Sequence, residues 1–181
     1  MKRKIVFWVI SAYFILFALA AAGYGVYWYV FDRPPVQPIA FSHKVHTTTV
    51  GLDCTKCHAY ADRGTLPGIP AVSVCMECHV NVKVNSPEVK KLAEYWEKKE
   101  PIPWVKVHGW RESKNVGFTH KSHIRYFTEK DGVAVSEVCA KCHGDVSGMD
   151  EMRQVSSLKM GWCVSCHVEN EASIDCWTCH K

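Results

Sequence analysis

The chain has 181 residues, ten histidines and ten cysteines, with a formal charge of +4 at neutral pH. Lys2, Arg3 and Lys4 carry three of those charges, which leaves +1 on everything after them. With no basic stripe and no nucleic-acid motif, that balance excludes a nucleic-acid-binding protein.

The N-terminal tip holds three cations and no anion, and Ile5 to Phe31 then runs 27 residues without a charge. As a helix that run is about 40 Å long, enough to cross a hydrocarbon core of roughly 30 Å with some tilt. Phe7 and Trp8 mark one end; Tyr24, Tyr27, Trp28, Tyr29 and Phe31 mark the other, as interfacial aromatics do. The positive-inside bias keeps the N-terminus in the cytoplasm and puts the rest on the periplasmic or outer side of the inner membrane. Ala18-Leu19-Ala20 resembles a signal cleavage site, but the apolar run exceeds an ordinary signal core. Residues 1–31 therefore read as a cytoplasmic tip and a single-pass transmembrane anchor. Residues 32–40 follow as a stiff, extended stalk rich in proline: Pro34, Pro35 and Pro38.

The outer domain, 41–181, contains an internal repeat. Phe41-Ser42-His43-Lys44-Val45-His46 is matched by Phe118-Thr119-His120-Lys121-Ser122-His123. Each copy is followed by two Cys-x-x-Cys-His motifs, giving half-modules 41–79 and 118–167. The connector, 80–117, begins a helix at Ser86-Pro87-Glu88, with serine as cap and proline first in the helix. Val89, Leu92, Ala93 and Trp96 share one face of it, and Pro101 stops it by Glu100. Ile102 to His108 reads as extended. A fifth motif is appended in 168–181.

All ten cysteines fall in copies of one motif: Cys54/Cys57, Cys75/Cys78, Cys139/Cys142, Cys163/Cys166 and Cys176/Cys179, each followed by histidine. Cys-x-x-Cys-His is the c-type haem attachment signature. Two thiols one helical turn apart form thioethers to one porphyrin. The next residue is then carried under the iron as the proximal ligand. Disulfides would leave the five following histidines unexplained, and a Cys-x-x-Cys loop is too small to stabilise much. Adjacent Cys-His is a poor tetrahedral zinc pair, and no finger spacing recurs. The reading is five haem c groups, with His58, His79, His143, His167 and His180 as proximal iron ligands.

Five histidines remain for the opposite faces: His43, His46, His108, His120 and His123. In each His-x-x-His the rings lie one turn apart and can serve two different haems. Methionine is the alternative ligand and raises the potential; Met149 and Met160, near the fourth motif, are candidates for one His/Met site. With five spare histidines no iron must stay open, so no residue is assigned a catalytic role. At 30 residues per haem over 32–181 the polypeptide is short for a core of its own. The expected fold is a multihaem cytochrome c, mostly irregular with short helices around stacked haems, plus one N-terminal transmembrane helix.

The repeated F-[ST]-H-K-x-H before paired motifs resembles small multihaem cytochromes of the c7/c3 type. With the anchor, the five motifs, Pro101-Ile102-Pro103-Trp104-Val105-Lys106-Val107-His108 and Leu158-Lys159-Met160-Gly161-Trp162-Cys163, the chain resembles the membrane-anchored pentahaem subunit of alternative complex III. That resemblance implies a non-catalytic electron-transfer subunit of a respiratory or photosynthetic quinol:acceptor oxidoreductase. It also implies partners: membrane-embedded quinol-oxidising subunits, an iron–sulfur subunit, and an acceptor cytochrome or similar. The alternative is a self-contained membrane-anchored quinol dehydrogenase of the NapC/NrfH type. That family is similar in layout but typically has four haems and lacks the FxHKxH repeat.

Overall fold

The computed structural model describes residues 2–31, 33–108 and 115–180; for Lys2, Val30 and Phe31 it describes the backbone alone. The chain divides into two units, Met1–Pro34 and Pro35–Lys181.

The first unit is one helix, α1, Lys2–Phe31. Its Arg3–Tyr29 stretch has a mean hydropathy of 2.4 and none of it is buried. Phe7, Trp8, Leu16, Phe17 and Tyr27 are all exposed, so the apolar surface runs around the helix rather than along a stripe. A helix apolar on every side suits lipid, not a water-facing surface. By length and composition it could span a membrane. At its far end the Arg33 guanidinium lies 3.7 Å over the Tyr29 ring.

The second unit is built from short helices: α2 (Cys54–Cys57), α3 (Val72–His79), α4 (Pro87–Lys98), α5 (His120–Asp131), α6 (Val135–His143), α7 (Met160–Glu169) and α8 (Cys176–Cys179). A π-helical turn spans Val45–Thr49 and a 3-10 turn spans Val146–Gly148. Among the described residues there is no strand, only an isolated antiparallel bridge between Val116 and His180.

The expected connector helix is α4, with Pro87 first and Lys99 closing it in the left-handed region at φ 55°. Ser86 adopts the cap backbone but makes no side-chain cap bond. Leu92 is buried as expected, but Tyr95 rather than Trp96 packs beside it; Trp96 is exposed. Three residues from Leu92 returns closer to its face than four does when the partner lies on that side of the stripe.

Residues of the stalk are docked within this unit. The Gln37 side chain donates to the Val105 carbonyl and accepts from the Val105 N–H, both at 2.9 Å. The Ala40 N–H donates to Glu88 at 2.7 Å, and Ile39 is buried against Val72, Leu92 and Ile102. A second cluster joins Ala61, Ile124 and Val138, with Phe127, Val133 and Val135 around it.

Those seven are the buried apolar residues among the described ones, and none is more than 98% buried. A domain of this length cannot offset its chain entropy with so small a core. The chain expressed without haem attachment should stay unfolded and be digested by low protease at once; a protease-resistant apoprotein would refute this. In the holoprotein, Leu92→Ala should cost about 2–5 kcal/mol in denaturant unfolding, because Leu92 holds α4 to both the stalk and α3.

Candidate haem-binding site

Each motif places its cysteines three apart on a helix, so both thiols point from one face. α2 is nothing but the first Cys-x-x-Cys, started by Asp53, whose carboxylate accepts from the Thr55 N–H at 2.8 Å. In α3 and α6 the motif ends the helix, with His79 and His143 as last residues. In α7 it lies inside the helix, and α8 is again the bare Cys-x-x-Cys.

After His143 the chain must turn sharply. Gly144 does this at φ +70°, and a Cβ there would stand 2.9 Å from Val155 Cγ2. Only glycine meets both demands.

The histidines carry a shared hydrogen-bond pattern. Nδ1 of His58 donates to the Gly68 carbonyl at 2.7 Å, that of His79 to Val82 at 3.0 Å, and that of His167 to Ser173 at 2.6 Å. Among the distal candidates, His46 donates to Ser42 at 2.8 Å, His120 to Thr65 at 2.9 Å and His123 to Thr119 at 2.9 Å. A carbonyl can only accept, so the proton sits on Nδ1 and Nε2 keeps its lone pair. That is the outer-shell arrangement of metal-ligating imidazoles.

Ring separations supply the second test. One iron held by two imidazoles, at the roughly 2.0–2.1 Å usual for an imidazole–metal bond, sets the ring centres about 6.4 Å apart. His46 and His79 are 6.1 Å apart, His120 and His143 are 6.4 Å apart with planes within 3°, and His123 and His167 are 6.1 Å apart. His43 lies beside His58, which adds to the lowering of its pKa. The donor set and its spacing therefore fit haem iron.

Burial tunes the same atoms. It pushes the pKa of His43 and His143 down to about 4, chiefly by desolvation and then by neighbouring imidazoles. His108 and His123 shift down for the same first reason. These rings stay neutral, as ligands must be. The Cys139 thiol is pushed up to about 11, and burial also raises Cys54, Cys57, Cys75, Cys142 and Cys163.

His108 stands differently. Its ring meets His143 edge-on at 4.3 Å, too close for the two to flank one iron, and its Nε2 is buried without a partner. Met149 is placed at the first half-module, where its carbonyl accepts from the Lys44 N–H at 3.0 Å. Met160 opens α7, exposed, one turn before Cys163. His180 is bridged to Val116, and the Cys179 carbonyl accepts from the Gly117 N–H at 2.7 Å.

Two residues escaped the sequence reading. Phe41 stacks on His46 at 4.3 Å and meets His43 edge-on at 5.0 Å. Phe118 repeats this, 4.4 Å from His123 and 4.9 Å from His120 at 88°. The phenylalanine that opens each repeat was the available signal.

Short helices that each end in a paired-cysteine motif, with imidazoles opposed at iron-ligand spacing, define a multihaem c-type cytochrome. The class III cytochrome c family profile matches residues 31–108. The chain is also similar to the multihaem cytochrome c subunit of a menaquinone reductase from Nitratidesulfovibrio vulgaris (strain Hildenborough), at 31% identity over 169 residues, covering 80% of this chain and 77% of that one. The chain belongs to the class III family of multihaem cytochromes c, electron-transfer proteins with covalently bound haem.

The opposed rings give a direct expectation. His120→Ala in the holoprotein should convert one haem to a high-spin, carbon-monoxide-binding form, leaving the haem count unchanged. An unaltered spectrum would remove His120 from the ligand set.

Proposed function

We propose that this chain is the five-haem, membrane-anchored electron-transfer subunit of a quinol-oxidising complex of the alternative complex III type. The ten motif cysteines attach five haem c groups, and His58, His79, His143, His167 and His180 are the proximal ligands. His43, His46, His120 and His123 face the first four of these in order. Haem, once bound, supplies the one-electron chemistry. The chain's residues do the rest: carbonyls hold Nδ1–H, buried rings stay neutral, and the motif helices keep thiols and imidazole on one side. Lys2, Arg3 and Lys4 keep the N-terminus of α1 in the cytoplasm, with the haem domain outside.

The observation that carries this reading is the pairing of both His-x-x-His repeats with consecutive motif histidines at 6.1–6.4 Å for three of the pairs. Similarity to the subunit of a quinone-linked enzyme, across 77% of that protein, supports quinone-linked membrane partners. The same similarity favours a second reading. That relative belongs to a menaquinone reductase, so electrons in this complex would run toward quinone rather than from it.

Gentle detergent extraction should bring the chain out with integral membrane subunits and an iron–sulfur protein. Anaerobic quinol added to that assembly should reduce the haems within seconds. Reduction of quinone by pre-reduced haems, with no reverse reaction, would establish the second reading. A chain purified alone that still oxidises quinol would point to the self-contained dehydrogenase.

A further inference from the structure

Resting on the five-haem reading, we infer that the motifs are strung in space in the order second, first, third, fourth, fifth. The ends of the electron path are then the motifs of Cys75/Cys78 and Cys176/Cys179, and the middle is that of Cys139/Cys142.

Each junction is visible in the contacts. Between the second and first motifs, Lys56 and Glu77, inner residues of their own motifs, form a 2.7 Å ion pair. His43 and His46, one turn apart, serve these two motifs, and Cys57 lies beside Cys75. The first and third motifs meet through the loop that follows His58. The Thr65 carbonyl there accepts from both the N–H and Nδ1 of His120, and Gly64 accepts from Lys121. Ala61 packs on Ile124 and Val138, and the Cys54 thiol reaches Cys139.

The third and fourth motifs share α5, whose His120 and His123 face His143 and His167; Cys142 lies beside Cys163 and Cys166. The fourth and fifth are joined by the Ser173 carbonyl, which accepts from His167, while Ser173 Oγ sits 2.9 Å from Thr178 inside the fifth motif. Cys163 also lies beside Cys179.

Exposure agrees with the ends. Cys78 and Cys176 are exposed, one in each terminal motif, and the other eight cysteines are half-buried. A path that exchanges electrons with partners needs its ends at the surface and its middle covered. Chain order and path order thus differ at the start: the motif first in sequence is second in the path.

Two exposed carboxylates outside the ligand set mark the outer junctions. Glu77 lies between the second and first motifs, and Asp175, which accepts from Ser173 at 3.1 Å, lies between the fourth and fifth. Removing a nearby anion raises a haem's potential, because it disfavours the more positive oxidised state. In the full-length holoprotein, E77Q should raise the potentials of two haems and D175N those of a different two. One haem, that of Cys139/Cys142, should respond to neither. Intact mass is read first: fewer than five haems on the native chain overturns the five-haem reading itself. Five haems with any one of them shifted by both substitutions, or the third shifted by either, overturns the order alone.

Discussion

Everything in the haem-binding unit depends on holding two neutral imidazole nitrogens on opposite sides of one point, about 6 Å apart ring to ring. Six of the ten histidines meet this demand by giving Nδ1–H to a backbone carbonyl. The bond chooses the tautomer and stops the ring from turning. His43 and His143 reach neutrality by burial instead; their Nδ1 atoms are buried without partners. The carbonyls come from loops, at Thr65, Gly68, Val82 and Ser173, and from the residues just before each His-x-x-His. Much of the irregular backbone is therefore shaped to present acceptors rather than to pack.

The His-x-x-His spacing couples this local geometry to architecture. Rings three apart on one turn point the same way but are displaced by a turn, so they cannot flank one iron. Each pair instead reaches two successive motifs and sets their separation. Phe41 and Phe118 lie flat or tilted against the second ring of each pair and edge-on to the first, filling the wedge between the two. The two halves of the chain use one solution twice.

The apolar clusters sit where this scheme needs a brace. Ile39, Val72, Leu92 and Ile102 clamp α3 and the docked stalk with Cys75 and Met76 alongside. Ala61, Ile124 and Val138 hold α5 and α6 to the loop after the first motif. Neither cluster would stabilise a domain by itself. They orient motif helices whose remaining apolar faces are matched to porphyrin, which is why α-helical turns as short as Cys54–Cys57 and Cys176–Cys179 suffice.

What the amino-acid sequence by itself determined was the chemistry and the list of parts. Cysteine spacing is a covalent requirement, so the five motifs, their proximal histidines and the duplicated FxHKxH were legible without a fold. The uncharged run in α1 and the Pro87 start of α4 were equally plain, because hydropathy and proline geometry act locally. The carbonyl partners at Thr65, Gly68 and Ser173, the glycine turn at Gly144 and the docking of Gln37 on Val105 were not legible. Each depends on segments far apart in the chain, or on a backbone angle that many sequences share. His108 shows the limit most clearly: counting made it a fifth distal ligand, whereas folding sets its ring edge-on at 4.3 Å from His143. Its partner was decided by how the connector crosses α6, and residue type carries no record of that crossing. The order of the motifs in space was decided the same way, by which loop closes on which helix.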